Sequence, residues 1–200
     1  MSTRTLGLIG IVCSPSLALQ LKMYGAFGDY KPTSMVGLLC FIYMTGWLCS
    51  VIGLYKLKAA GKKKFGKIIL IIQIVFLIPG DISNIYCIIQ PATSSELFQI
   101  LDLFWPVSNM FMLITGLAVF FAKQLSTWKR TAPLIVGLWF PLTIVISRLV
   151  FGTSLITVNL TCYYSVLAWS MLGLAVYCSS PQNSAENSNP IQQNNKLATA

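Results

Sequence analysis

Long apolar stretches with few charged side chains dominate this chain and leave little freedom for its fold. Six such stretches occur, at residues 5–21, 35–55, 68–90, 98–121, 133–151 and 154–178. A helix needs about 20 mostly apolar residues to cross the hydrocarbon layer of a bilayer. In that layer only helices and closed barrels satisfy their backbone hydrogen bonds. The sequence therefore predicts an all-α polytopic membrane protein, a compact bundle of six transmembrane helices within residues 1–178.

The composition supports this prediction. Charged residues make up 10 % of the chain, whereas a soluble domain carries about 25 %. The mean hydropathy is +0.73. Because the loops between the apolar stretches are short, sequence neighbours become spatial neighbours. The expected location is the cell membrane.

The distribution of lysines and arginines predicts the orientation. In a six-span topology eleven of them lie on one side and two, Lys22 and Lys31, on the other. The larger set consists of Arg4, Lys56, Lys58, Lys62, Lys63, Lys64, Lys67, Lys123, Lys129, Arg130 and Lys196. The positive-inside rule places this set, and with it both termini, in the cytoplasm.

The first stretch has two interpretations. It is short, follows Arg4 and contains Ser14, Pro15 and Ser16, so a cleaved signal peptide is one alternative. The other is a retained first helix, which we favour because the stretch lacks an A-x-A cleavage pattern. The remaining five spans keep the same orientation in either case.

The connecting segments indicate lipid contact rather than a soluble partner. The basic loop at residues 56–67 would lie beside a leaflet that is commonly anionic, so anionic lipids are its expected partners. Aromatic residues do not interleave with this loop as they do on nucleic-acid-binding surfaces, and we expect no nucleic-acid partner. The polar tail at residues 179–200 cannot bury enough apolar surface to fold and is predicted to be disordered.

Several kinds of chemistry have no support in the sequence. The chain has no histidine, which excludes Ser-His and Cys-His nucleophile pairs and histidine metal ligands. Its six cysteines are scattered without a C-x-x-C pair, so packing is their expected role. We expect no metal, no cofactor and no enzymatic activity.

Polar residues inside the predicted spans are the best candidates for a functional site. At helical spacing each of the last four spans carries a polar stripe. Such stripes are expected to face the bundle interior, because a polar group in lipid has no partner. The candidate site residues on these stripes are Asp81, Asn84, Asp102, Trp105, Asn109, Arg148, Asn159 and Tyr163.

The three charged candidates differ in their expected depth. Counted from the non-cytoplasmic end of its span, Asp81 lies about 13 Å deep, Asp102 about 6 Å and Arg148 about 5 Å. The similar depths of Asp102 and Arg148 favour a structural ion pair between them. Asp81 is too deep to reach water, so it must be paired, protonated or exposed to a cavity.

Glycine and serine residues mark the first two spans instead. Two faces, Gly7 with Gly10 and Ser14, and Gly46 with Ser50 and Gly53, allow close helix contact. Packing within the bundle is their expected role, and homo-oligomerisation through one of them is an alternative.

The functional alternatives are of different classes. A polar cluster in the outer half of the bundle suits a small-solute or ion transporter, or a ligand binder. Alternatively the chain is a non-catalytic membrane subunit or regulator in which the charged cluster is structural. A remote alternative is an intramembrane aspartyl protease using Asp81 and Asp102, whose depths differ by about 7 Å.

Overall fold

A computed structural model describes residues 1–24, 33–91, 95–145 and 154–179, and within these ranges the chain forms seven helices and no strand. The helices are α1 (Thr3–Cys13), α2 (Pro15–Tyr24), α3 (Ser34–Lys56), α4 (Lys64–Ile89), α5 (Glu96–Ala122), α6 (Thr127–Val145) and α7 (Leu155–Tyr177). The predicted all-helical architecture is confirmed for these residues. Arg148 and all of the predicted disordered tail beyond residue 179 lie outside them.

A proline divides the first predicted span into α1 and α2. Pro15 has no N–H to donate to the carbonyl of Ile11. The backbone N–H and the hydroxyl of Ser14 donate to that carbonyl instead, at 3.3 and 2.8 Å. Both segments pack against α3 and α7.

Serine and threonine caps fix where four of the helices begin. The side chains of Ser2, Thr33, Ser95 and Ser154 each accept a hydrogen bond from the backbone N–H three residues later. These bonds satisfy N–H groups that a helix end leaves without a partner. The starts of α3, α5 and α7 consequently lie within two residues of their predicted positions.

The helices form a ring in which successive spans alternate in direction. Contacts join α3 to α4, α4 to α5, α5 to α6 and α6 to α7, and α1 closes the ring between α7 and α3. The ends of the helices that carry most of the lysines and arginines meet on one side. There the Nζ atom of Lys56 donates to the carbonyl of Met1, and that of Lys129 donates to the carbonyl of Cys178, each at 2.7 Å. We refer to this side as the basic end.

Five helical segments are long and apolar enough to cross a membrane by length and composition. They are Thr3–Met23, Ser34–Lys56, Lys64–Ile89, Glu96–Ala122 and Leu155–Tyr177. The helix α6 begins at Thr127, six residues before the start of the predicted span. The residues just before Pro133 are therefore part of the helix. Its predicted continuation at residues 146–151 lies outside the described part of the chain.

The outer surface of α4 is apolar from Ile68 to Ile89. A stripe of exposed aliphatic residues recurs at spacings of three and four, namely Ile68, Ile71, Val75, Ile78, Ile82, Ile85 and Ile89. An exposed apolar stripe of this length is typical of contact with lipid tails.

The small-residue faces of the first two spans pack inside the bundle, which confirms their predicted packing role. A Cβ atom at Gly10 would overlap the hydroxyl of Ser50, and one at Gly46 would lie 2.5 Å from the Cβ of Cys13. On α7, a Cβ at Gly173 would lie 2.7 Å from the backbone nitrogen of Ile11. Since these faces are occupied within one chain, they are not available to bind a second copy.

Candidate functional site

An aromatic cluster occupies the centre of the bundle and connects four helices. Tyr43 and Trp47 come from α3, Trp105 from α5, Trp139 from α6 and Trp169 from α7. Ring centroids are 5.1 Å apart for Tyr43 and Trp169, 5.5 Å for Trp47 and Trp169, 5.5 Å for Trp139 and Trp169, and 6.1 Å for Trp105 and Trp139. These four pairs meet edge to face, which aromatic rings favour.

Five buried polar atoms belong to this cluster or to its neighbours on α5 and have no hydrogen-bond partner within the described residues. One is the hydroxyl of Tyr43, which lies close to the side chain of Trp105. The other four are the indole nitrogens of Trp47 and Trp169, the hydroxyl of Ser108 and the side-chain oxygen of Asn109. The amide nitrogen of Asn109 donates to the carbonyl of Trp105 at 2.9 Å, which ties this residue to the aromatic cluster. A buried polar atom without a partner costs about 1 to 3 kcal/mol. We call these four residues the interior polar site.

The interior polar site lies at one level of the bundle. The helices α3, α5 and α7 run in the same direction. The number of residues from the start of the helix is similar for Trp47, Asn109 and Trp169. A rise of about 1.5 Å per residue places all three about 20 Å from the end opposite the basic end. This level is near the middle of the helices, deeper than the outer-half cluster that the sequence predicts.

A second polar group joins α4 to α5 and is hydrogen-bonded. Gln73 is completely buried. Its amide nitrogen donates to the carbonyl of Ser108, and its amide oxygen accepts from the hydroxyl of Thr115, each at 3.2 Å. Because both ends of the amide are bonded, Gln73 fits a structural role.

Asp81 lies at the contact between α3 and α4. Its Oδ2 atom accepts a hydrogen bond from the hydroxyl of Thr45 at 3.2 Å, while its Oδ1 atom is buried without a partner within the described residues. Both Asp81 and Thr45 are half-buried, whereas Met44 and Trp47 on α3 are buried. The carboxylate therefore lies at the edge of the bundle core and has a polar partner, one of the three situations expected for it.

The structure places the other predicted residues in different surroundings. Asn109 is buried, whereas Trp105 on the same helix and Asn84 on α4 are half-buried. Asp102 is exposed on α5, within electrostatic range of Cys40 and Cys87. Its predicted pairing with Arg148 lies outside the described residues. The seven candidates within the described residues are therefore not brought together as one cluster.

The stripe predicted on the last span faces the interior only in part: Ser170 contacts Ser14, but the expectation is wrong for Tyr163. That side chain is 73 % exposed, and with Asn159 it lines a groove between α2 and α7. The buried stripe of α7 runs instead through Thr157, Thr161 and Ser165. The reason is that hydroxyls can bond to the carbonyls of their own helix, as Ser165 does to that of Cys162 at 2.8 Å. Small hydroxyl residues therefore enter the core more readily than the larger polar side chains.

Sequence reasoning missed Thr45, Trp47, Ser108 and Trp169 as site residues. A tryptophan in an apolar segment gives no signal that its indole nitrogen will be left without a partner. Among the described residues, no group of three or more histidine, cysteine, aspartate or glutamate side chains has the arrangement of a metal site.

The fold and these sites define a helical bundle with a membrane-compatible outer surface and polar atoms in its core. No protein family, curated protein or solved structure matches the chain. The function must therefore be inferred from the molecule itself.

Proposed function

We propose that this chain is a multi-pass protein of the cell membrane with six transmembrane helices and both termini in the cytoplasm. The basic end would then be cytoplasmic, in keeping with the positive-inside rule. Five candidate spans and the apolar stripe of α4 support this arrangement. The helix α6 would supply the remaining span.

Within this arrangement we propose that the protein binds a small polar solute in its core and transports it. The observation that carries this proposal is the set of buried polar atoms without partners at the interior polar site. Indole N–H groups donate hydrogen bonds, an amide oxygen accepts them and a hydroxyl does both. A solute with both donors and acceptors matches this set, and the surrounding aromatic rings would cover its apolar part.

We assign Asp81 a secondary part in this proposal. Its unpartnered Oδ1 atom lies at the α3–α4 contact, where a carboxylate could hold a proton or a cation. A non-enzymatic function fits both aspartates. Asp81 is bonded to Thr45 and Asp102 is exposed, which does not support a carboxyl pair of the protease type.

Osmotic swelling of proteoliposomes tests the transport proposal. Glycerol, urea and acetamide serve as probes, because each carries hydrogen-bond donors and acceptors. We expect the wild type to accelerate entry of at least one probe over protein-free liposomes. Trp169→Phe, which removes the indole N–H but keeps an aromatic ring at this position, should reduce that rate, as should Asn109→Leu.

Trp128→Phe is the matched control, since Trp128 is 41 % exposed at the basic end. It should leave the entry rate unchanged. Asp81→Asn tests the secondary part separately. Wild-type rates equal to those of protein-free liposomes for all three probes would contradict transport of this class of solute.

A second candidate function is a membrane subunit or regulator whose polar groups only fix helix packing. The bonded amide of Gln73 favours it, as does the contact of 2.6 Å between the hydroxyls of Ser14 and Ser170. In that case Trp169→Phe and Asn109→Leu would change stability without changing the entry of any probe.

A further inference from the structure

A lysine-lined groove lies beside the turn between α3 and α4. Its volume is about 230 Å³, and Lys56, Lys58, Lys62 and Lys67 line it together with Tyr55 and Leu70. A neighbouring groove of about 440 Å³ shares Lys62 and Gly61 with it and extends past the first turn of α4. The two grooves place several ammonium groups around one compact region, which we call the lysine groove.

The backbone that carries these lysines is firmly held. Ala59 is fully buried, and its N–H donates to the carbonyl of Leu54 at 3.0 Å. The N–H of Gly61 donates to the carbonyl of Lys58 at 2.9 Å, and Lys58 itself adopts the left-handed conformation at φ 52°. A Cβ atom at Gly66 would overlap the carbonyl of Ala60. The lysines are therefore fixed at their Cα atoms by a packed turn.

The charges of the lysine groove have no acidic neighbour among the residues that line it. The sequence contains no aspartate or glutamate between Asp29 and Asp81. The start of α4 adds to the positive field, because its N-cap residue Lys63 provides no side-chain cap for the first N–H groups. An anion from outside the chain would complement this region.

We propose that the lysine groove binds a phosphate group, with Lys58, Lys62 and Lys67 contacting its oxygens. The phosphate comes either from the headgroup of an anionic phospholipid or from free inorganic phosphate. This proposal rests on the proposed membrane setting but not on the solute in the core. Its test reads binding at the basic end, so its failure is distinguishable from a failure of the transport assay.

The test compares two lysines that differ in position but not in charge. Lys62 lines both grooves, whereas Lys64 lines neither, and both are exposed. Native mass spectrometry of the full chain measures retained phosphatidylglycerol for the wild type, Lys62→Gln and Lys64→Gln. We expect Lys62→Gln to reduce retention about fivefold, since an exposed ion pair with the phosphate contributes up to about 1 kcal/mol. Lys64→Gln should stay within about twofold of the wild type, because Lys64 lies outside both grooves.

A second measurement identifies the source of the phosphate. Thermal stability in detergent is recorded with added phosphatidylglycerol and, separately, with inorganic phosphate. The proposal is supported if a probe stabilises the wild type and Lys64→Gln but not Lys62→Gln. The probe that stabilises them, phosphatidylglycerol or inorganic phosphate, identifies the source of the phosphate. Equal losses of retention for both variants, or no response of the wild type to either probe, would overturn it.

Discussion

The hydroxyl of Thr45 donates a hydrogen bond to the carboxylate of Asp81 across 3.2 Å and thereby links α3 to α4. A carboxylate at this depth is expensive without a polar partner. The partner is Thr45, which has a short side chain and lies on the preceding helix, α3. Cys49, four residues later, lies on the same half-buried face of that helix. The bond explains how an apolar helix pair tolerates a carboxyl group.

We predict that Thr45→Val lowers the free energy of unfolding by about 1 to 3 kcal/mol, because the buried carboxyl group loses its partner. The matched variant Thr45→Ser keeps the hydroxyl and should lose less than half as much. Thermal or denaturant unfolding in detergent measures both. A larger loss for Thr45→Ser than for Thr45→Val would show that the methyl group, not the hydrogen bond, matters at this position.

We predict that Gln73 and Thr115 are energetically coupled. Gln73→Met and Thr115→Val should each destabilise the bundle by about 0.5 to 1 kcal/mol, since each leaves the other polar group without its partner. The double variant should lose less than the sum of the two, because it removes both partners together. A double-mutant cycle of unfolding free energies measures the coupling. Strict additivity would show that the contact of 3.2 Å contributes nothing.

We predict that two glycines on different helices respond differently to alanine. A Cβ at Gly173 would meet backbone atoms of α1 at 2.7 and 2.8 Å, so Gly173→Ala must push two helices apart. The expected loss is about 1 to 3 kcal/mol. At Gly80 the nearest atom is the terminal methyl of Met44 at 2.9 Å, which can move aside. Unfolding of Gly80→Ala should therefore differ little from the wild type, and a loss as large as that of Gly173→Ala would contradict this reasoning.

We predict that Asn109→Leu separates stability from function. The variant removes an amide oxygen that has no partner within the described residues, but it also removes the hydrogen bond from the amide nitrogen to the carbonyl of Trp105. Because these two changes have opposite signs, the unfolding free energy should change by less than about 1 kcal/mol. Entry of the transported probe should fall at the same time. Met110→Leu, at the neighbouring lipid-facing position, is the control and should change neither quantity. A stability loss of several kcal/mol without a change in entry would favour the structural alternative.

We predict opposite sides of the membrane for the two ends of the bundle. Single cysteines at Lys62 and Glu96, introduced into a variant without the native cysteines, would lie in exposed positions at opposite ends of the helices. An impermeant maleimide added to intact cells should label Glu96→Cys and spare Lys62→Cys until the cells are lysed. Labelling of Lys62→Cys in intact cells would reverse the proposed orientation.

Helix content and packing faces were predictable from the sequence, because length, apolarity and small-residue spacing act locally. Serine and threonine caps fixed the starts of α3 and α5 close to their predicted positions. The start of α6 was not predictable in this way. Trp128, Lys129 and Arg130 look like loop residues, yet they continue the helix beyond the apolar segment.

The arrangement of the polar residues was less predictable, because each depends on a neighbouring helix. A stripe on α7 can be read from spacing, but which stripe faces the core depends on how α2 and α6 pack against it. Tyr163 accordingly lies outside and Ser165 inside. The partner of Asp81 is a threonine on α3 that nothing in the sequence singles out.

The exposed stripe of α4 also limits how this helix can move. Asp81 follows Ile78 by three residues, which places it roughly 60° around the axis from a position that faces lipid. Rotation of α4 by that angle would break the bond to Thr45 and bring the carboxylate to the hydrocarbon. For the proposed transport function we therefore expect α4 to keep its rotational setting.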